Sequence, residues 1–544
     1  MASEHSWTDE IDQTVNNLFE PVSNALTRVV FYEVGILGAD FPLIVAWLAV
    51  AGLVFTVAFG CVQVRHLPLA LRIVRGRYEQ PDAPGEVSHF QALTSAVSGT
   101  VGLGNIAGVA IAVSIGGPGA TVWMMLCGFL GMASKFVECT LGVRYRDIDE
   151  HGRVSGGPMQ YLRKGLAERG LPRLGGALAL LAAVMILFFA FFGGNLFQVN
   201  QSLEQLVAVT EDHTSFFADS AGALLFGVVV ALLAGLVLVG GIRAIGRVTS
   251  RLVPAMSILY VTACLVVIGC NVTQVPDAVA TICREAVSPA GVTGGLVGAL
   301  IVGFQRAAFS NEAGVGSAPI AHSAVKTRRP ATEGLVALIE PFLDTVVICT
   351  MTALTIVVAG GPLYEEARER AVSGAEVEGN AVGISITSDA FETALPGFPV
   401  VLTLAVFLFA FATIITWGYY GLKAWTYLFG AGRLADGSYK VLFCLLAVGG
   451  ALLSLGTLVD LADAFLFLAA VCNIIGLYLL TPVVRRELRR VLVYVRRRDA
   501  GESDAAIEAD ERAQDERAQD ENKGGDEGRD EDEADPTDGI TLAK

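Results

Sequence analysis

The sequence predicts an all-α polytopic membrane protein of about eleven transmembrane helices, built as a 5+5 inverted repeat with two discontinuous helices. Three observations predict it. Apolar residues make up 53% of the 544 and charged residues 17%, with a mean hydropathy of +0.57, a balance too apolar for a water-soluble chain of this length. Apolar windows of about 20 residues recur along the chain. Two of them are interrupted by glycine beside small polar residues, at Ser98-Gly99-Thr100-Val101-Gly102-Leu103-Gly104-Asn105 and at Phe309-Ser310-Asn311-Glu312-Ala313-Gly314-Val315-Gly316-Ser317. A membrane helix satisfies its own backbone, so such clusters at membrane depth mark unwound chain facing a ligand. Two in matching places point to a transporter.

The elements follow in order. Residues 6–36 place Trp7, Ile11, Val15, Leu18, Phe19 and Val22 at helical spacing, which predicts an amphipathic helix along the interface rather than a cleavable signal peptide, since it has no basic start or early apolar core. Predicted spans are 42–62, 91–115, 119–143, 177–208, 220–241, 252–272, 292–325, 333–360, 398–428, 440–458 and 461–484. The second and seventh hold the glycine breaks. From about Arg497 the chain turns polar and acidic, with the repeat Glu511-Arg512-Ala513-Gln514-Asp515 and Glu516-Arg517-Ala518-Gln519-Asp520, which reads as a disordered tail.

Lys and Arg accumulate in loops that stay in the cytoplasm. They follow the first span (Arg65, Arg72, Arg75, Arg77), the third (Arg144, Arg146, Arg153), the fifth (Arg243, Arg247, Arg251), the seventh (Lys326, Arg328, Arg329) and the last (Arg485, Arg486, Arg489, Arg490). Alternate connections are acidic or neutral, so the N-terminus is expected outside and the C-terminus in the cytoplasm of a cell-membrane protein. With the first span set aside, ten remain, and a broken helix opens each set of five, about 210 residues apart. An odd number per set inverts the second copy. The expected divisions are 1–40, an extracytoplasmic amphipathic segment; 41–89, an extra helix and its loop; 90–272 and 292–484, the two repeats; and 485–544, a cytoplasmic acidic tail. A net charge of −16 and a pI near 4.9 suit a high-salt cytoplasm and point to a halophilic prokaryote, or simply to a solubilising tail. The nine cysteines are scattered with no C-x-x-C pair, and are expected as buried free thiols.

An unwound helix offers amides and carbonyls together, which is what a zwitterionic amino acid requires. Gly102 and Gly104 remove side chains that block approach, and Asn105 with the carbonyls of Ser98, Thr100 and Val101 offers the oxygens that sodium, a hard cation, favours. The same glycines also read as close helix packing. In the second break Ser310, Asn311 and Glu312 bring further oxygens. Glu312, a costly intramembrane carboxylate, is either a gating or coupling group or a pinning partner of Arg306. Glu138 and Asp344 carry the same two readings, and Glu138 lies three residues after Lys135, which predicts that this pair neutralises itself. Asn195, Gln198 and Asn200 stand in the apolar fourth span, where Gln198 offers both donor and acceptor to a zwitterion or bonds between helices. Asn473 carries no site role.

The run Phe90-Gln91-Ala92-Leu93 through Val101-Gly102-Leu103-Gly104-Asn105-Ile106-Ala107-Gly108, with Gly116-Gly117-Pro118-Gly119, Gly156-Gly157-Pro158-Met159, Gly194-Asn195-Leu196-Phe197-Gln198, Phe309-Ser310-Asn311-Glu312-Ala313-Gly314 and Trp417-Gly418-Tyr419-Tyr420-Gly421, resembles the alanine or glycine:cation symporter family over residues 40–485. The resemblance implies a leucine-transporter-like fold and sodium-coupled uptake of small neutral amino acids. The first break is also similar to that of the neurotransmitter:sodium symporters. By that analogy the amides of Gly102, Leu103 and Gly104 hold the substrate carboxylate, Thr100 and Asn105 bind one sodium, and the carbonyls of Ser98 and Val101 a second. The resemblance also assigns Gln198 to the substrate, Thr413 to substrate or sodium, and Trp417 to a wall limiting side-chain size; in the second break Phe309 is expected at the substrate and Ser310 at sodium. Leu103 stands where the family often has Thr or Ser, and Val471-Cys472 stand where it more often has Ile-Pro.

These expectations give a symporter of sodium with alanine, glycine or a similar amino acid, with membrane lipid around it and no nucleic-acid partner. Proton coupling through Glu312, and an amino-acid sensor or channel without concentrative flux, remain the alternatives. No G-x-x-x-x-G-K-[ST] motif supports ATP-driven transport, and the spans lack the constellation of an enzyme.

Overall fold

The computed structural model describes residues 7–511 and 513, apart from 37–38, 81, 212–213, 288–294, 374–378 and 454–455. The chain divides into a main unit up to Arg485 and a C-terminal unit from Arg486. The main unit opens with α1 (Trp7–Val30) and a hairpin, β1 (Glu33–Ile36) with β2 (Ala39–Pro42). Then come α2 (Leu43–Ala58), α3 (Val62–Arg65), α4 (Leu67–Val74), α5 (His89–Thr100), α6 (Ala107–Ile115) and α7 (Ala120–Arg144). After a second short hairpin at 147–155 follow α8 (Pro158–Glu168), α9 (Pro172–Thr210), α10 (Ser220–Val239), α11 (Gly241–Cys270) and α12 (Val275–Glu285). The chain continues through α13 (Gly295–Asn311), α14 (Ala318–His322), α15 (Pro330–Ala359), α16 (Pro362–Ser373), α17 (Gly379–Ala394), α18 (Pro399–Phe429), α19 (Arg433–Gly450) and α20 (Gly456–Asp499).

A helix overlaps each of the eleven apolar stretches. Among the described residues α7, α9, α10, α11, α15, α18 and α20 are each long and apolar enough to cross a bilayer, and α5 with α6 makes an eighth crossing bent by 61°. Large apolar side chains point outward from α10, with Leu236 77% exposed, as suits a face solvated by lipid. Two spans depart from plain α-helix. Both α9 at Phe192–Leu196 and α15 at Phe342–Cys349 widen into π-helical turns. In α15 the cause is local: Pro341 has no amide hydrogen to give the preceding turn, and the ladder re-forms with a wider spacing.

The N-terminal helix does more than lie along an interface. Phe19 meets Phe192 of α9 edge-on at 5.8 Å, and Phe31 meets Phe467 at 5.4 Å, so this segment packs onto the helical body. In the C-terminal unit the tail expected to be disordered begins ordered. Here α20 continues to Asp499, and Arg497 pairs with Glu502 at 2.6 Å and Asp510 at 2.7 Å, which folds the chain back on that helix. Acids that read as solvated charge find this arginine. The second half of the acidic repeat lies outside the described residues.

Close approach of α7 sets the frame for the site. A Cβ on Gly128 would lie 2.7 Å from the Thr345 Cβ, and one on Gly131 would lie 2.8 Å from the Ala313 Cβ. These glycines bring α15 and the second break against α7 at a distance that no larger residue allows.

Candidate functional site

Helix α5 starts at a capping box, in which the Gln91 amide donates to Ser88 Oγ and the Ser88 amide donates to Gln91 Oε1 at 3.1 Å. It ends at Thr100 because the Gly102 amide abandons the helical ladder. In a continuous helix that N–H would go to the Ser98 carbonyl; here it donates to Asn105 Oδ1 at 2.9 Å, and the Ser98 carbonyl loses its helical partner. Asn105 is therefore the residue that closes the break locally.

The second break is built the same way. Asn311 Oδ1 accepts from the Ala313 amide at 3.0 Å, and the chain then passes through left-handed backbone at Glu312 (φ 53°), Gly314 (φ 95°) and Gly316 (φ 88°). Glycine tolerates that region, whereas for Glu312 it costs about 1–3 kcal/mol and marks a position held by its surroundings. The Gly314 carbonyl, freed by the break, accepts from Asn473 Nδ2 at 2.9 Å; the same amide donates to Glu138 Oε1 at 2.7 Å, and Asn473 Oδ1 accepts from the Tyr161 hydroxyl at 2.5 Å. Asn473, without a role in the sequence reading, anchors the second break. The ends beyond the two breaks also meet, since the Glu86 amide donates to the Ala324 carbonyl at 2.7 Å and the Lys326 amide to the Val87 carbonyl at 2.8 Å.

Asp344 joins the two breaks. Its carboxylate accepts from Asn105 Nδ2 at 2.7 Å, from Ser310 Oγ at 2.9 Å and from Thr345 Oγ1 at 2.7 Å, while Thr345 Oγ1 also accepts from Asn311 Nδ2 at 3.0 Å. The wide turn of α15 is what lets successive residues, Asp344 and Thr345, reach both breaks. The amide of Asn105 is thus assigned by its partners: oxygen toward Gly102 and nitrogen toward Asp344.

Beside this joint lies a buried cavity lined by Gly99, Thr100, Gly102, Gly104, Phe189, Gly193, Gln198, Phe309, Glu312, Thr413 and Trp417. Its volume open to the centre of a water-sized sphere is about 20 Å³, on a scale where ~10–15 Å³ holds one water. The ring of Phe189 stands edge-on to Trp417 at 4.4 Å and faces Phe309 at 6.2 Å. Trp417 Nε1 donates to the Gly99 carbonyl at 3.2 Å, and Thr413 Oγ1 donates to the Phe409 carbonyl at 3.0 Å. Gln198 Nε2 donates to the Gly193 carbonyl at 3.1 Å, whereas its Oε1 is buried with no partner among the described residues. A buried acceptor left unpaired at a cavity wall is the mark of a position that a ligand donor completes. Gly102 makes room here, because a Cβ on it would lie 2.7 Å from Thr413 Oγ1.

Of the residues singled out from sequence, Thr100, Gly102, Gly104, Gln198, Phe309, Glu312, Thr413 and Trp417 line the cavity. Leu103, Ser98, Val101, Asn105 and Ser310 do not. Ser98 Oγ lies 2.5 Å from Thr416 Oγ1, linking α5 to α18, and Leu103 and Val101 are buried in the turn. Sequence reasoning passed over Phe189 and Gly193 in the cavity and Thr345 at the joint; it quoted Gly99 within the first break without a role, and it singled out Asp344 as an intramembrane acid without finding its partners. The Gly193-Gly194 pair ahead of Asn195 is a usable signal, since a Cβ on Gly194 would lie 2.4 Å from the Trp417 Cβ. Asn195 and Asn200 instead donate to the carbonyls of Phe443 (2.7 Å) and Leu453 (2.9 Å), which are interhelical bonds.

Two expected ion pairs differ. Lys135 Nζ pairs with Glu340 Oε1 at 3.0 Å, and Glu138 is held by Asn473 instead. The reason is direction: the buried Lys135 reaches from α7 across to α15 rather than along its own helix. Glu312 Oε2 accepts from Ser317 Oγ at 2.6 Å within its own break rather than pairing with Arg306. Glu340 belongs to a buried chain of charge. Its Oε2 lies 3.6 Å from His322 Nε2, His322 Nδ1 meets Glu333 Oε1 at 2.6 Å, and the other oxygen of Glu333 meets His89. This chain ties the start of α5 and the end of α14 to α15.

The model of the sodium:alanine symporter family matches residues 24–508. The sodium/alanine symporter AgcS of Methanococcus maripaludis is 38% identical over 451 residues, spanning 82% of this chain and 94% of that protein. The probable sodium/glutamine symporter GlnT of Bacillus subtilis is 32% identical over 461 residues, spanning 84% of this chain and 89% of that protein. Among solved structures, MhsT in complex with L-phenylalanine superimposes with a TM-score of 0.51 at 15% identity, covering 74% of this chain and 97% of that one, a likeness of fold.

Proposed function

We propose that this chain, which belongs to the sodium:alanine symporter family, is a secondary active symporter in which sodium entry drives uptake of alanine, glycine or a similar small neutral amino acid. It is a multi-pass membrane transporter and not an enzyme. The observation that carries the reading is the small buried cavity between the two breaks, with the unpaired Gln198 Oε1 on its wall. In this reading the amides of Leu103 and Gly104 hold the substrate carboxylate, the Gly102 amide joins them only by leaving Asn105 Oδ1, to which it donates at 2.9 Å, and Gln198 Oε1 accepts from the ammonium. Phe309 and Trp417 limit the side chain, with Thr413 between substrate and ion. Sodium is held by oxygens of Ser98, Thr100, Val101, Asn105, Ser310 and Thr413, and Asp344 supplies the counter-charge through Asn105 and Ser310. The two sets of five spans, α5 with α6, α7, α9, α10 and α11, and α13 with α14, α15, α18, α19 and α20, form inverted repeats that rock about the breaks, with the N-terminus outside. Glu312 is the gating or coupling group at the cavity wall.

The test is radiolabelled L-alanine uptake into proteoliposomes under inward sodium, potassium or proton gradients, for wild type and Asn105→Ala. Concentrative uptake that needs sodium and is lost in the variant is expected. Accumulation driven by protons alone would move the coupling to Glu312, and binding without accumulation would make the protein a sensor or channel.

A further inference from the structure

From an outward-facing groove on the other side of the Asp344 turn, we infer that the protein binds an anionic phospholipid there, one acyl chain of which braces that turn. The groove lies between α3, α4, α7 and the wide turn of α15, and its volume is about 650 Å³, within the ~300–1,000 Å³ usual for ligand sites. Gln63, Leu71, Leu126, Phe129, Phe342 and Val346 line it. Leu71 is 42% and Leu126 41% exposed, so the groove opens toward the bilayer rather than into the protein.

Two observations set it apart from an ordinary crease between helices. Gln63 is only 1% exposed, and its Nε2 donates to Thr56 Oγ1 at 2.9 Å and reaches the Phe129 carbonyl at 3.5 Å, which fixes the amide orientation. Its Oε1 then has no partner among the described residues, leaving one unpaired acceptor in an otherwise apolar wall. A hydrocarbon chain alone leaves that oxygen unsatisfied, whereas a lipid bearing hydroxyl donors does not. The second observation is charge. From Leu43 to Tyr78 the chain has no acidic residue and carries Arg65, His66, Arg72, Arg75 and Arg77. Arg65 follows Gln63 by two positions on α3, and Arg72 follows Leu71 on α4, so the basic side chains flank the groove in sequence. Such a segment at a membrane surface favours anionic headgroups by about fivefold per arginine. A phosphatidylglycerol-type lipid meets both requirements, with its phosphate for the arginines and its hydroxyls for Gln63.

The groove also reaches the transport machinery. Phe342 and Val346 bracket Asp344 and Thr345, whose other side holds Asn105, Ser310 and Asn311. An acyl chain against Phe342 and Val346 packs the outer side of the turn whose inner side joins the two breaks.

The experiment uses the full chain carrying Leu126→Trp, an exposed position, in phosphatidylcholine vesicles doped with brominated-acyl phosphatidylglycerol or brominated-acyl phosphatidylcholine. Quenching beyond that of the wild-type tryptophans reads occupancy of the groove. Phosphatidylglycerol is expected to associate at least fivefold more strongly, and Arg65→Gln with Arg72→Gln to remove that preference. Equal association of the two lipids, or a preference that survives the double substitution, overturns the site. In a second arm, sodium-dependent alanine binding is expected to tighten as phosphatidylglycerol is added, but not in the Arg65→Gln/Arg72→Gln protein. A flat response beside a clear lipid preference overturns the bracing. This second arm rests on the proposed transport function and the quenching arm does not, so the two failures are distinguishable.

Discussion

Asp344→Asn changes the joint between the breaks at constant volume. The carboxylate receives three donors, Asn105 Nδ2 at 2.7 Å, Ser310 Oγ at 2.9 Å and Thr345 Oγ1 at 2.7 Å. An asparagine keeps one acceptor oxygen and turns an NH2 toward one of these donors, so at least one bond is lost and one donor faces another. A hydrogen bond to a charged group contributes about 1.5–3 kcal/mol, which corresponds to roughly 10- to 150-fold in an equilibrium constant. The half-saturating sodium concentration for alanine uptake in proteoliposomes is expected to rise by that factor, and the melting temperature to fall by a few degrees. Adding Asn105→Asp to Asp344→Asn restores a donor facing a carboxylate while keeping an acceptor for the Gly102 amide, so this swapped pair recovers part of the loss. If Asp344→Asn left the sodium dependence and the uptake rate within twofold of wild type, the joint would be passive packing and the reasoning wrong.

Four further outcomes are expected. Gly102→Ala places a Cβ 2.7 Å from Thr413 Oγ1 at a backbone φ of −141° that alanine adopts freely; overpacking of about 1–3 kcal/mol should cut alanine affinity roughly 5- to 150-fold without unfolding, read by binding and gel filtration. Trp417→Phe removes the 3.2 Å bond to the Gly99 carbonyl and opens the wall, so competition uptake should shift from alanine toward valine; unchanged selectivity counts against the wall. Lys135→Met takes from the buried Glu340 carboxylate its 3.0 Å ion-pair partner, leaving His322 at 3.6 Å, and should destabilise by about 3 kcal/mol in thermal unfolding. Adding Glu340→Gln should restore most of that and adding Glu138→Gln little, because the pair is Lys135 with Glu340. Arg146→Lys should speed hydrogen exchange and proteolysis around 323–327, since Arg146 forks onto the carbonyls of Ser323 (2.7 Å), Val325 (2.5 Å), Thr327 (2.8 Å) and Pro84 (2.7 Å). Burial lowers this guanidinium to about 10, and a lysine starts about two units lower with no fork to offer.

Both breaks were legible because glycine beside Asn, Ser and Glu inside an apolar run has few other physical explanations. Part of the cavity was legible for a related reason, since Gln198 is an amide in an apolar helix and needs a partner; Thr413 and Trp417 were named only through the family resemblance. Asp344 was equally visible as an intramembrane acid, yet its task was not. Its partners lie 239 residues away at Asn105 and 34 away at Ser310, and a wide helical turn aims it at both.

Sequence alone determined the class of the molecule, the approximate positions of its apolar helices and the two places where they unwind, because hydropathy and glycine act over short stretches of chain; the short helices between them, such as α8, α12, α16 and α17, lay outside the predicted spans. Tertiary structure decided the pairing. Lys135 turned from Glu138, its neighbour on the same helix, to Glu340, and Asn473 became the anchor of the second break. Asn105 became a latch toward Asp344, and Phe189 closed the cavity beside Trp417. Each of these depends on which faces of distant helices meet, and glycines such as Gly128 and Gly131 set how closely they do. Helical periodicity specifies a face but not its neighbour, so charge and hydrogen-bond partners across helices emerge only once the helices are packed.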